Sequence, residues 1–266
     1  MTTDLSGKAA LVTGASKGIG RELALGIARA GAAVGVNYHS DEAGGREVVE
    51  LIRSEGGRAV ASVRTSPPPS SAARWSPGAS RSLGGSMQHA VTRDHKLGRV
   101  LPVHRGRARR RGRRNLKDVL HGAGRRPPDG RAGRGGRIIV TSSVTGNQAV
   151  QYLSAYAMTK GGLQMLVRNL VLELSPHGIT INAVAPGPIT NERNLQDDPE
   201  YDEKWAQVVP LGRVGRSSDV LGAVLYFASD ASSWVTGSTL LVDGGWTTYS
   251  PTPGFEFVER EGRVGE

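Results

Sequence analysis

The chain has 266 residues, 38% of them hydrophobic, no cysteine and a formal charge of +10. Without cysteine there is no disulfide, no thiolate metal site and no cysteine nucleophile; no metal is expected, and a reducing, cytoplasmic compartment is. With no run of 18 apolar residues and no charged-then-apolar leader, residues 1–250 read as one soluble domain without a membrane span, followed by a polar tail over residues 251–266.

Residues 8–13, KAALVT, form a short apolar run suited to a buried parallel strand. Gly14, Ser16, Lys17, Gly18, Ile19 and Gly20 follow, then residues 21–30 with helix-forming composition. Strand, glycine turn and helix in that order can bind a dinucleotide. Gly14 makes the turn, Gly18 admits close approach of the ligand, and Gly20 lets the helix pack on the strand, with helix N–H groups facing a pyrophosphate. The competing reading is a turn with no ligand. Gly31 closes the helix, and residues 32–38 read as the second strand. An acidic residue that would hold the ribose 2′-hydroxyl of NAD belongs at this strand's end. Asn37, Tyr38, His39 and Ser40 stand there instead, with Asp41 beyond. Together with Lys17, this favours a 2′-phosphate and hence NADP, Asn37 being a candidate contact; NAD is the alternative should Asp41 fold back. Residues 41–55 read as a second helix and 58–63 as a third strand.

At Ser66 the character breaks. SPPPSSAARWSPGASRSLGG has neither helical nor strand periodicity, and residues 105–114, RGRARRRGRR, are a dense arginine run. Residues 65–137 hold 18 Lys and Arg against three Asp, a net of +15, so the rest of the chain carries +10 less +15, or −5. The basic character therefore belongs to one stretch. A doubly wound sheet should place a helix and its central fourth strand here, and neither is legible, so residues 66–134 are expected to be irregular or disordered. An arginine run suggests a nucleic-acid contact with steep salt dependence. No aromatic residue interleaves the arginines and no recognition helix is visible, so nucleic acid is disfavoured.

From residue 136 the pattern recovers. A strand over 137–141 ends in Thr141, Ser142 and Ser143, and a helix over 156–174 carries Tyr156 and Lys160. A spacing of i, i+4 puts Lys160 on the same face as Tyr156, one turn on. A phenol with pKa near 10 is a poor acid at neutral pH. A cation about 4 Å away, at an effective dielectric of about 20, favours phenolate by roughly 4 kcal/mol before desolvation opposes it. Tyr156 is thus a candidate proton donor and acceptor, and Ser143 can hydrogen-bond the same substrate oxygen. A bare Tyr-x-x-x-Lys is also what any amphipathic helix with a surface lysine shows. Residues 180–184 read as a further strand, with Pro186, Gly187, Ile189 and Thr190 after it, where ligands of open parallel sheets sit. Residues 191–209 read as a loop with short helices over the site. A helix over 217–228 and a strand over 237–242 complete an α/β, doubly wound, Rossmann-type sheet.

These segments resemble the short-chain dehydrogenase/reductase family, and within it 3-oxoacyl carrier-protein reductases and glucose 1-dehydrogenase-like enzymes. TGASKGIG at 13–20, the set Ser143, Tyr156 and Lys160, NAVAPGPIT at 182–190 and SSWVTGSTLLVDGG at 232–245 agree in type, order and spacing. The resemblance implies hydride transfer between NADP or NAD and a small-molecule carbonyl or secondary alcohol, a ketone or 3-oxoacyl group being expected. It implies Tyr156 as general acid or base, Lys160 as the cation that tunes it and holds the nicotinamide ribose, and Ser143 as the group that polarises the substrate oxygen. Pro186, Gly187, Ile189 and Thr190 would line the nicotinamide side. It implies a homo-oligomer, dimer or tetramer, formed through the helix containing Tyr156 and the C-terminal segment.

The family's Asn-Asn-Ala-Gly segment at the end of the fourth strand has no counterpart; QHAVTRDHK stands at 88–96. Asn115, in NLKDV, falls 28 residues before Ser143 and resembles the family's catalytic asparagine, which would anchor a relay water to Lys160. Correct spacing with foreign composition is what a displaced reading frame of a GC-rich gene yields over much of residues 66–114 and 120–134. If so, the other frames must encode an apolar strand and an Asn-Asn-Ala-Gly-like turn. A chain made as written would then be a catalytically impaired relative or an oligomer partner, the alternative to an active enzyme.

Overall fold

The structure is a computed structural model that describes residues 3–63, 89–92 and 135–248. Seven parallel strands form one sheet in the order β3-β2-β1-β4-β5-β6-β7. They are β1 Ala9–Thr13, β2 Ala33–Tyr38, β3 Ala59–Val63, β4 His89–Thr92, β5 Gly136–Thr141, β6 Ile179–Pro186 and β7 Thr239–Val242. Among the described residues six helices accompany them: α1 Gly18–Arg29, α2 Glu42–Ser54, α3 Ser154–Leu174, the short α4 Glu192–Asp197 and α5 Tyr201–Ala206, and α6 Ser217–Ala228. Strand order reverses at β1, where the chain passes to β4 on the other side, and ligands of such sheets sit outside the carboxyl ends at that switch.

The sheet is buried from both faces, as apolar parallel strands require. One core gathers Leu23, Ile27, Val48, Ile52, Val220, Val224 and Phe227 from α1, α2 and α6 over Val12, Val34 and Ile139. On the opposite face, Leu163, Val167, Leu170 and Leu174 of α3 pack on Ile138, Val140, Ile179 and Ile181. Ile139 thus serves one face and its neighbours the other, as the two-residue period of a strand demands.

The fourth strand corrects the sequence reading. Backbone pairing places β4 between β1 and β5, with Leu11 opposite Ala90 and Ala90 opposite Ile138. A four-residue segment with two apolar residues, His-Ala-Val-Thr, is too short and too mixed to show a periodicity. It is nonetheless sufficient where strands on both sides supply the hydrogen bonds. The remainder of residues 66–134, with the arginine run and Asn115, and the tail over residues 251–266 lie outside the described residues.

Candidate active site

At the carboxyl end of β1, Gly14 takes φ +64° and Gly18 φ +56°, a left-handed backbone that glycine adopts without strain. A side chain on Gly20 would collide with the Gly14 carbonyl oxygen, so the first turn of α1 lies directly on the glycine turn. Lys17, at the N-cap, makes no side-chain cap, and the first turn of α1 holds no acidic residue. The first N–H groups of a helix have no partner within it and carry its positive end. This is a fit for a pyrophosphate: a concave backbone without side chains, N–H donors and an adjacent exposed lysine.

Around that turn the structure revises two expectations. Asn37 ends β2, but its amide donates to the Ser62 carbonyl of β3 at 2.9 Å, so the side chain braces the sheet. Asp41 does fold back. Its carboxylate accepts from Gly44 N–H at 3.1 Å, capping α2, and from the Ser16 hydroxyl; these bonds, with Lys17 nearby, hold its pKa below the ordinary aspartate value. Ser16 is therefore tied to the loop after β2 by a carboxylate, with the Lys17 charge nearby. Tyr38 is buried against Gly45, while His39 and Ser40 are exposed.

The second half of the site is built where β5 ends. Ser143 leaves the strand in extended backbone and caps a single 3-10 turn, Val144–Gly146, by accepting from Thr145 N–H at 3.3 Å. It is buried, at 8% exposure. The helix α3 returns beside it. The Lys160 ammonium donates to the Thr141 carbonyl at 3.1 Å, and the Ser142 hydroxyl donates back to the Lys160 carbonyl at 3.0 Å. Lys160 is 1% exposed, and its Nζ lies 5.4 Å from the ring centroid of Tyr156, within cation–π range. Tyr156 is half-buried in the second residue pair of the helix, which begins at Ser154. The i, i+4 spacing therefore brings phenol and ammonium together, with the ammonium against the ring and anchored to the strand end.

Three residues that the sequence did not single out hold this arrangement. Gln164, one turn beyond Lys160, donates to the Ser143 carbonyl at 3.2 Å. Gly146 and Gly161 let turn and helix touch: a Cβ on Gly146 would lie 3.0 Å from Gly161 N, and one on Gly161 3.3 Å from Gly146 O. The signal was present as an i, i+4, i+8 series of polar residues on one helix face, Tyr156, Lys160 and Gln164. Gln148 and Met158 are exposed, Met158 at 65%.

Beyond β6, Pro186 is buried and Gly187 is pinned, its N–H donating to Val242 O at 3.0 Å and its α-carbon close to Asp243. The Ile189 side chain packs into the core and its carbonyl accepts from Asn191 and Asn194, each at 3.1 Å. Backbone pairing with Gly215 turns the Ile189 N–H to the opposite side of the segment, so the backbone is what Ile189 offers. Thr190 differs from expectation, since its hydroxyl donates to Asp202 of α5 at 2.8 Å. Within α5 Tyr201 meets Trp205 at 6.0 Å, and Trp205 in turn lies edge-on to Trp246 at 5.3 Å. A cavity of 310 Å³ lies beside α5, lined by Thr190, Asp202, Arg213 and Arg216 among others. Among the described residues no group of His, Asp and Glu is arranged to hold a metal, and no helix is long and apolar enough to cross a membrane.

Comparison with known proteins agrees with this arrangement. Residues 8–69 match the family profile described as short chain dehydrogenase, and residues 87–247 that described as Enoyl-(Acyl carrier protein) reductase. The chain is 36% identical to 3beta-hydroxysteroid dehydrogenase 1 of Eggerthella lenta, over 97% of its own length and 99% of the relative's. It is 34% identical to a 3-oxoacyl-[acyl-carrier-protein] reductase of Staphylococcus aureus, over 90% and 97%. Among solved structures it is similar to the angucycline C-6 ketoreductase LanV with bound NADP, at a TM-score of 0.72 and 28% identity, over 94% of this chain and 99% of that one. With profiles that together span residues 8–69 and 87–247, and relatives matched almost end to end, the chain belongs to the short-chain dehydrogenase family.

Proposed function

We propose that this chain is an oxidoreductase that uses NADP or NAD to interconvert a carbonyl and a secondary alcohol, with ketones or 3-oxoacyl thioesters as substrates. The observation that carries the reading is the buried Lys160, anchored to Thr141 and set against Tyr156 beside Ser143. The glycine turn, the first turn of α1 and Lys17 would hold the pyrophosphate and 2′-phosphate, and the segment from Pro186 to Thr190 would flank the nicotinamide. When bound, that group supplies or accepts a hydride at the substrate carbon. Tyr156 gives a proton to the substrate oxygen in reduction and takes it back in oxidation. Lys160 sets a buried positive charge against the Tyr156 ring. Ser143 Oγ already accepts from Thr145 N–H, so what it presents outward is its own proton, aimed at the oxygen on which charge develops.

The family relatives named above include a reductase of 3-oxoacyl groups and a steroid dehydrogenase, which supports the carbonyl or alcohol class. A homo-oligomer fits the apolar residues that α3 leaves outside: Met158, Met165 and Leu172, seven residues apart, are 65%, 53% and 83% exposed. A cytoplasmic location is part of the same reading. The test is a titration of the purified full chain with NADPH and NADH, followed by NADPH oxidation with simple ketones and 3-oxoacyl thioesters. Saturable NADPH binding with turnover of at least one ketone is expected. A chain that binds neither dinucleotide overturns the reading. Light scattering of the same preparation reads the oligomeric state.

A further inference from the structure

We infer that Gln164 is a positioning residue for Ser143, and that the reaction needs its amide although it touches neither substrate nor Tyr156. The inference rests on the oxidoreductase reading above and extends it to a residue of unassigned role. Gln164 is a polar side chain at 5% exposure on the face of α3 that also carries Lys160. Burying an amide costs stability unless it is bonded, so its place in the core calls for a partner. That partner is the Ser143 carbonyl, which accepts from Gln164 Nε2 at 3.2 Å and from Gly146 N–H at 3.0 Å. The first bond comes from another element and the second from the serine's own turn. A carbonyl oxygen has two acceptor positions, and here both are filled.

Consider what this does to the hydroxyl. The Ser143 backbone is fixed at its N–H side by the end of β5 and at its carbonyl by two donors, while Oγ accepts from Thr145 N–H at 3.3 Å. With the peptide unit pinned, Oγ has one setting relative to α3 and so relative to Tyr156. Gly146 makes room for this, since a Cβ there would come 2.5 Å from Gln164 Nε2. An amide, which donates, suits a carbonyl partner; a thioether or alkyl group of similar bulk has no proton to give it.

The experiment is a double-mutant cycle in the full-length chain. Gln164→Met, which keeps the unbranched shape and removes the donor, and Gln164→Leu, which removes the donor at similar bulk, are each made with Ser143 present and in a Ser143→Ala background. NADPH binding is followed by fluorescence alongside kcat and KM. With Ser143 present, each substitution should lower kcat about ten-fold, the effect of losing one well-placed hydrogen bond, and leave the NADPH Kd within about two-fold. In the Ser143→Ala background the same substitutions should change kcat less than about two-fold, because there is no hydroxyl left to position. A packing role alone would give the same loss in both backgrounds, and that result, or unchanged kcat in Gln164→Met, overturns the inference. If Gln164→Met does not fold, Gln164→Asn, whose amide is too short to reach, takes its place. A wild-type chain without turnover instead overturns the oxidoreductase reading and this inference with it, so the two failures are distinct.

Discussion

The Lys160 ammonium sits 3.1 Å from the Thr141 carbonyl oxygen, so the cation of the site is moored to the end of a central strand. A long flexible side chain is thereby given one position beneath the Tyr156 ring. Two substitutions separate charge from packing. Tyr156→Phe keeps the ring over the ammonium and should leave the melting temperature nearly unchanged while turnover falls by about 100-fold or more. Lys160→Met should cost similar activity and also lower stability by about 1–3 kcal/mol, since a buried carbonyl loses its donor. Thermal melts and steady-state rates on the same preparations check both.

Gly20 is the point at which the dinucleotide half of the site tolerates no side chain. Gly20→Ala drives a methyl into the Gly14 carbonyl oxygen, a backbone atom that cannot swing aside. Destabilisation of about 1–3 kcal/mol is expected, as for other overpacked sites. NADPH affinity should fall together with stability, because the same displacement disturbs the turn. Gly222, where a Cβ would meet nothing within 4 Å, is the control: Gly222→Ala should be neutral or slightly stabilising in its helix.

Cofactor choice should turn on Lys17. It is exposed, beside a turn whose Ser16 is bonded to the Asp41 carboxylate, so a 2′-phosphate would gain the lysine's charge and meet the carboxylate's. Lys17→Ala should weaken NADPH by about ten-fold and NADH by much less, a difference that shrinks as salt is raised because the interaction is exposed. Equal losses for the two dinucleotides would remove the argument for NADP from this residue.

Acid should loosen the cover before the core. For Asp243, burial pushes the pKa up, but hydrogen bonds from the Thr247 hydroxyl and from the Thr247 and Gly245 N–H groups outweigh it and leave the value lowered. For Asp219, the Arg213 guanidinium, bonded at 2.7 Å, and the Arg216 N–H also lower the value. Both carboxylates titrate lower in the folded than in the unfolded chain. Their stabilisation is therefore complete above the unfolded value of about 3.9 and is lost as pH falls through the folded values. Asp243 fixes the turn that carries Trp246 against Trp205, so Asp243→Asn should flatten the acid limb of a stability-versus-pH curve.

Much of this was legible in the residues themselves. The glycine turn, six of the seven strands and the long helices follow from apolar runs and from glycines at the ends. The pairing of Tyr156 with Lys160, beside the turn that Ser143 opens, follows from residue types at fixed spacing. Asn37 and Thr190 are harder to read, since a polar side chain at a strand end can turn to a ligand or to a neighbouring element. Here Asn37 turns to Ser62 and Thr190 to Asp202. Gln164 went unnoticed because it is polar and yet buried, a combination that hydrophobic patterning assigns to the surface.

The strand β4 has a mechanical meaning beyond its place in the order. β1 to β3 carry the glycine turn, β5 to β7 carry the serine, the tyrosine's helix and the segment after Pro186, and among the described residues the main-chain bonding between those groups runs through His89–Thr92. Side-chain packing of α1 on α6 and the Lys8–Asp230 ion pair tie the same groups together. Four residues thus act as the seam of the molecule, and weakening them should part dinucleotide affinity from chemistry at once rather than erode either by degrees.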